Sequence, residues 1–156
     1  MATSKIRVTV PLNVEEVFNR LSDHAHLENI VDEISTSKLV TKSDASKNPN
    51  GLGAIRIVNF NGDILTEKVV AWLPFNTESS RNSNEVGYDY KVIAGKSVIA
   101  DHLGIIRIFP NGINSSLIVW NIHLKIVWWA TGEIAAFFVC RTMEKEISKS
   151  VKKNLR

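Results

Sequence analysis

Apolar positions along this chain follow two rhythms. Through most of its length they alternate with polar positions in β-branched runs, the period-two mark of half-buried strands; over residues 132–156 they recur every third or fourth position instead. Residues 5–10 read as a first strand closed by Pro11. Asn13 has the chemistry of a helix N-cap with Glu16 three residues on, and Val14, Val17, Phe18 and Leu21 supply one buried stripe. Ser22-Asp23 predicts a second short helix running to about Glu28. Further strands are predicted at 34–41, on both sides of Asn61-Gly62, at 86–93, at 98–109 and from 117 to about 128, with turns at Gly95-Lys96 and Asn111-Gly112. Residues 42–51 and 76–84 are polar loops, and no internal repeat appears. In the last segment Ala136, Cys140, Met143, Ile147, Val151 and Leu155 form one helical stripe, with Thr131 placed to cap it and Glu133 to complement its dipole. Such a helix is about 37 Å long at ~1.5 Å per residue, longer than any strand here, so it should lie across the sheet. The order predicts one domain, residues 1–156, of class α+β: a curved antiparallel sheet of six to seven strands gripping a long C-terminal helix, with two short helices after the first strand.

The stretch 53–72 carries the most information. Asn-Gly between two apolar runs is a strong two-residue hairpin signal. With Asn61 and Gly62 as the turn, Phe60 faces Asp63, Val58 faces Leu65 and Arg56 faces Glu67, all on one face. An opposite-charge pair then stands inside an apolar row. Two readings are open: a solvated cross-strand ion pair worth under about 1 kcal/mol, or a polar anchor inside an apolar cavity. If the faces were reversed, Ile55, Ile57, Ile64, Val70 and Trp72 would line the core, and alternation alone does not choose.

Composition narrows the class. The chain has 156 residues, 44% of them hydrophobic and 22% charged, ordinary globular usage with room for a core and a cavity. Its formal charge of +3 is mild. Lys145, Lys149, Lys152, Lys153 and Arg156 suit the solvated side of the last helix, and no basic stripe interleaves with aromatics, so nucleic acid is not expected as a partner. One cysteine, Cys140, excludes an intramolecular disulfide and suits a reducing compartment. No signal peptide or bilayer-length apolar run is present, so a cytoplasmic protein without integral membrane association is expected.

The run Pro11-Leu12-Asn13-Val14-Glu15-Glu16-Val17-Phe18, Gly53 with Arg56, Thr66-Glu67-Lys68-Val69, Val119-Trp120 and the terminal amphipathic helix together resemble the helix-grip superfamily of START-like (SRPBCC) domains, polyketide cyclase/dehydrase-like proteins and Bet v 1 allergens. The resemblance covers nearly the whole chain and is nearest to the polyketide cyclase/dehydrase and lipid-transport-like branch. It implies an open-ended cavity between sheet and helix that holds apolar or aromatic small molecules. In ligand receptors of this superfamily the glutamate of a Thr-Glu-Arg triplet points into the cavity. Thr66-Glu67-Lys68 stands in that place, which implies a cavity position for Glu67 and favours the Arg56/Glu67 face. Residues 73–84 lack the receptor-type gate pattern, which speaks against a hormone-receptor role.

The expected ligand walls are Val58, Phe60, Leu65 and Val69 with the helix positions Cys140, Met143 and Ile147, while Arg56, Glu67, His102, Tyr90 and Asn121 supply polar atoms. His102 suits a ligand contact, a structural hydrogen bond or a general base; Asp101, its strand neighbour, points the other way. Tyr88 and Tyr90 share a face and suit either ligand contact or core packing. Asn121 and His123 oppose Trp120, Ile122 and Leu124; the pair reads as a solvated face, while the resemblance sets a cavity contact near Asn121. Trp128, Trp129, Phe137 and Phe138 pack the helix entry or line a mouth. His24, His26, Asp23 and Glu28 read as a solvated helix rather than a metal site, because no metal-ligand spacing of the strong kinds is present. Neither a metal nor a cofactor is expected. The favoured function is binding or carrying a small hydrophobic molecule of lipid-like, polyketide or aromatic type. The alternatives are a cyclase or dehydratase-like enzyme, with Glu67 or His102 as base and Arg56 stabilising an enolate-like oxygen, and a protein-interaction module docking through its sheet. Expected partners are the small ligand and, at most, a second copy of the chain in a homodimer.

Overall fold

Alternating burial organises the sheet. The computed structural model describes residues 1–45, 47–75, 85–95, 99–127 and 132–156. Among them seven antiparallel strands, β1 (Ala2–Val10), β2 (Ile34–Thr41), β3 (Ile55–Phe60), β4 (Asp63–Leu73), β5 (Val86–Ala94), β6 (Ile99–Pro110) and β7 (Ser116–Ile126), lie in the order β1-β7-β6-β5-β4-β3-β2. The β3–β4 hairpin turns on Asn61 (φ 49°) and Gly62 (φ 88°), both in the left-handed region that the Asn-Gly pair tolerates. That turn sets the pairs Phe60↔Asp63, Val58↔Leu65 and Arg56↔Glu67, the register expected from the sequence. The expected loop at 76–84, Lys96 of the β5–β6 turn, the tail of the last strand at Trp128 and the Thr131 cap lie outside the described residues.

Between β1 and β2 runs α1 (Val14–Leu21), capped by the Asn13 side chain, which accepts a hydrogen bond from the Glu16 N–H at 2.9 Å. Val17, Phe18 and Leu21 are its buried side. The second helix expected from Ser22 is reduced to a single 3-10 turn, Leu27–Asn29. Ser22 instead ends α1, its N–H returning to the Phe18 carbonyl. Asp23 then competes with helix formation by accepting from the Ala25 N–H and pairing with the His26 ring.

The long helix α2 (Gly132–Asn154) has 23 residues. Its stripe of Ala136, Cys140, Ile147, Val151 and Leu155 is buried, while Lys145, Lys149, Lys152 and Lys153 face solvent. α2 packs chiefly on β1 and next on β7. Midway, Ser4 Oγ donates to the Cys140 carbonyl at 2.5 Å. At the C-terminal end, Lys153 meets Asp32 at 2.8 Å, and Asn154 donates to the Ile30 carbonyl and to Asp32. Bracing on the β1 flank and on the loop before β2 holds the helix over the concave face. The architecture is the α+β helix grip. No helix among the described residues is long and apolar enough to cross a membrane.

Gly104 on β6 sets one wall. A Cβ there would lie 2.2 Å from carbons of the Tyr90 ring, so the ring occupies the space a side chain would need. Gly104→Ala should therefore lower unfolding stability by about 1–3 kcal/mol in urea denaturation, the usual range for overpacking a core. The double variant Gly104→Ala/Tyr90→Leu should recover part of that loss.

Candidate functional site

The concave face does not close on the helix. Between them lies a hollow of about 440 Å³, within the ordinary range for small-molecule sites of roughly 300–1,000 Å³. Aliphatic walls come from Leu27 and Ile34 beside the 3-10 turn, from Val58 and Leu65 on the hairpin, and from Met143 and Ile147 on α2. Phe138 and Val139, both exposed, stand with Asn61 and Asp63 among the lining residues, so the mouth opens between the hairpin turn and α2. Phe138 is 64% exposed and packs edge-on to Phe137.

The polar floor is built on Arg56, only 3% exposed. Its Nε donates to Glu67 Oε2 at 2.6 Å, the cross-strand contact that the hairpin register imposes. Its Nη1 lies 2.8 Å from His24 Nδ1 and 3.3 Å from the Tyr88 hydroxyl. Since a guanidinium only donates and the Asn50 carbonyl 3.0 Å from His24 Nε2 only accepts, the His24 proton sits on Nε2 and Nδ1 receives Arg56. The Tyr88 hydroxyl donates to the Leu21 carbonyl at 2.7 Å, and Trp120 Nε1 donates to the Tyr90 hydroxyl at 3.1 Å. The guanidinium also lies over the Tyr90 ring, 4.6 Å from its centroid. Burial opposes the Arg56 charge, yet the Glu67 carboxylate, with Tyr88 and Tyr90, more than compensates and raises its pKa. Burial, with Glu67 adding for Tyr90, pushes both phenols above their ordinary range, so both stay protonated.

His102 enters from β6, 6% exposed and with its ring 5.5 Å from that of Tyr90. Its Nδ1 is buried and has no hydrogen-bond partner among the described residues. Burial lowers the pKa of His102 and, first through burial and then through Arg56, that of His24 well below the ordinary histidine value.

Of the ligand-facing residues expected from the sequence, Arg56, Val58, Phe60, Leu65, Glu67, Tyr90, His102, Met143 and Ile147 line the hollow. Three do not. Val69 faces Tyr90 across the ladder but is packed into the core. Asn121 pairs with Lys5 and Ile105 on the opposite face of β7, half-buried, and the cavity position belongs to Trp120. Cys140 is turned toward β1, whose Ser4 binds its carbonyl, and burial raises its thiol pKa. The reading of His24 as part of a solvated helix is corrected outright. It is 0% exposed and completes the Arg56 network. Its partners lie 26 and 32 residues away, so no local spacing signalled the role. Trp120 and Tyr88 were readable from strand phase, which set them on the buried faces. Trp128 and Trp129 fall outside the described residues. Among the described residues no group of three or more His, Cys, Asp or Glu is placed to hold a metal.

A curved antiparallel sheet gripping one long helix over an apolar hollow defines the START-like class. A family model described as polyketide cyclase/dehydrase and lipid transport matches residues 1–156, and the chain belongs to that family. Among solved structures it is similar to a START superfamily protein from Mycobacterium smegmatis (TM-score 0.75, 12% identity, 98% of this chain and 96% of that one). It is also similar to Ara h 8.0201 (0.66, 14%, 99% and 97%). The di-domain ARO/CYC protein BexL from the BE-7585A biosynthetic pathway matches over 99% of this chain and 46% of that one (0.70, 12%). At these identities the likeness is one of fold. No curated protein matches the sequence.

The neutral histidines make stability depend on pH. Below about pH 6.5 the unfolded chain takes up protons that folded His24 and His102 refuse, so stability is full above that value and is lost as pH falls from it. Urea midpoints should be flat from pH 7 to 8 and fall between about pH 6.5 and 5, with a shallower fall in His24→Gln. A midpoint independent of pH in that window would contradict neutral burial of these rings.

Proposed function

We propose that this protein binds or carries a small hydrophobic molecule in the hollow between its sheet and α2. The observation that carries this reading is a void of about 440 Å³, walled mainly by aliphatic and aromatic side chains, into which a few polar groups converge. A core selected for stability alone would be filled, because residual cavities cost folding free energy roughly in proportion to their volume. The exposed Phe138 and Val139 at the mouth extend the apolar wall outward and give an apolar ligand a path in. A cytoplasmic setting fits the one buried cysteine. Membership of the polyketide cyclase/dehydrase and lipid transport family agrees with cargo of a lipid or polyketide kind.

A second reading, a cyclase or dehydratase-like enzyme, has one specific observation in its favour. His102, its pKa lowered by burial, lines the hollow as a neutral imidazole, the form in which a general base works. Glu67 is less suited to that task, since Arg56 already engages its carboxylate. The likeness in fold to the di-domain ARO/CYC protein BexL makes this reading worth testing.

The binding reading predicts that the uncharged probe N-phenyl-1-naphthylamine gains fluorescence with the protein at a Kd of micromolar order. Met143→Trp, which fills the hollow from α2, should weaken that binding by about tenfold or more while leaving the circular dichroism spectrum unchanged. Native mass spectrometry of freshly purified protein should also show a co-purified apolar adduct. Absence of both probe binding and adduct in the wild-type chain would sink the proposal. Probe binding retained in His102→Gln, with loss of a measured turnover, would favour the enzyme.

A further inference from the structure

We infer that the convex face of strands β2–β5, the side turned away from the hollow, docks a protein partner that presents an acidic amphipathic helix. Strand phase places Ile55 and Ile57 of β3 and Ile64 of β4 on that face. Lys38 of β2 stands opposite Ile57, Lys68 of β4 opposite Ile55, and Lys91 of β5 opposite Lys68. All but the half-buried Ile55 are exposed, Ile64 to 64%. A single exposed aliphatic side chain is ordinary; neighbours on adjoining strands mark a contact surface.

The charge on this face is unmatched. Lys68 and Lys91 oppose each other directly across the β4–β5 ladder, an arrangement that weakens a sheet. Among the described residues no hydrogen bond or ion pair is made by Lys38, Lys68 or Lys91. The one carboxylate that β2–β5 turn to this side, Asp89, is bound by Arg107 of β6. A face that only had to stay solvated could set an acid opposite either lysine. Three lysines around aliphatic side chains, with no free acid of their own, are complementary to an acidic partner instead.

The width of the face selects the occupant. β2 and β5 are three strand spacings apart, about 14 Å. A helix with its side chains is about 10–12 Å across. Laid along β3 and β4, its apolar stripe covers the three isoleucines. Acidic residues on its two flanks then meet Lys38 on one side and Lys68 with Lys91 on the other. A second copy of this chain does not fit, because it would bring lysine onto lysine. A bilayer does not fit either. Isoleucines set in a hydrogen-bonded sheet cannot sink the roughly 5–10 Å to the acyl boundary without carrying the lysine-bearing strands with them. The hollow and its mouth lie on the concave side, so a docked partner leaves them open.

The test adds a stapled synthetic helix of about 18 residues, leucine along one face and glutamate on the rest, to the isotope-labelled full chain. Amide shifts should change along β2–β5 and stay fixed in α2, with a Kd of roughly 10–100 μM at low salt that weakens as salt rises. Lys68→Glu/Lys91→Glu should weaken binding about tenfold or more. Lys145→Glu/Lys149→Glu, the same change of charge on the solvent side of α2, should leave it unchanged. Lys68→Glu alone, which makes the like-charge pair an opposite-charge pair, should raise the urea midpoint while weakening binding. A midpoint at or below that of the wild-type chain overturns the inference. Equal loss in the two double variants does so too, since net charge alone would then explain binding. Vesicles of phosphatidylglycerol and phosphatidylcholine should not sediment the protein; sedimentation that Lys68→Glu/Lys91→Glu abolishes gives the face to a bilayer and overturns the protein partner. Fluorescence of N-phenyl-1-naphthylamine in the hollow should be the same with the helix bound, so failure of the dock and failure of the cavity reading are seen separately.

Discussion

A guanidinium that is almost fully buried has to be surrounded by acceptors, and this requirement organises the interior. Arg56 is committed to the concave face by a two-residue turn whose register admits no slip without sending the whole hydrophobic row to the other side. Glu67 comes with it across the ladder. Nη1 reaches both His24 and Tyr88, which ties β3 to the segment after α1 and to β5. Tyr88 in turn holds the end of α1 through the Leu21 carbonyl. One side chain thus links four separate parts of the chain. Removing either member of the Arg56–Glu67 pair would leave a buried charge unmatched, a cost of about 3–5 kcal/mol in comparable pairs.

Much of this was legible in the sequence, but unevenly. Asn61-Gly62, the alternation around it and the long stripe of α2 are local signals, each governed by a fixed backbone period, and the structure follows them nearly residue by residue. The Arg56/Glu67 face was not decided by alternation, since Ile57 and Ile64 make the reverse face apolar as well; both prove exposed. Only the likeness to helix-grip proteins chose between the faces. His24 was illegible for a different reason. Its neighbours Asp23 and His26 are exposed or half-exposed and pair with each other, so the segment has the composition of a solvated turn while one residue within it points inward. Its burial depends on Asn50, Ser37 and Arg56, and none of these is near in sequence. Asn121 erred in the opposite direction: a family expectation placed near the Val119-Trp120 pair settled on the polar residue, whereas the strand phase gives the inward position to Trp120.

The same contacts that fix the sheet explain why the hollow survives. α2 is pulled toward β1 by Ser4 and toward the loop before β2 by Asp32 and Glu33, and its buried stripe is satisfied along that flank. Among the described residues its packing on the hairpin is much slighter than on β1 and β7. On that side the lining combines aliphatic side chains with a polar cluster in which Arg56 binds Glu67, His24 and Tyr88. Collapse would press apolar helix residues onto the guanidinium and carboxylate, gaining dispersion contacts while removing what solvation the pair retains. The ionic network therefore acts as a spacer as well as a tie.

A spacer of this kind has a consequence for selectivity. A cavity whose charges are internally matched presents dipoles to its contents but little net field, so shape and single hydrogen bonds decide what stays. Matched charges also hold their geometry when the hollow is empty, because Arg56 keeps its acceptors whether or not a guest is present. Pre-organisation of that sort lowers the ordering cost of binding.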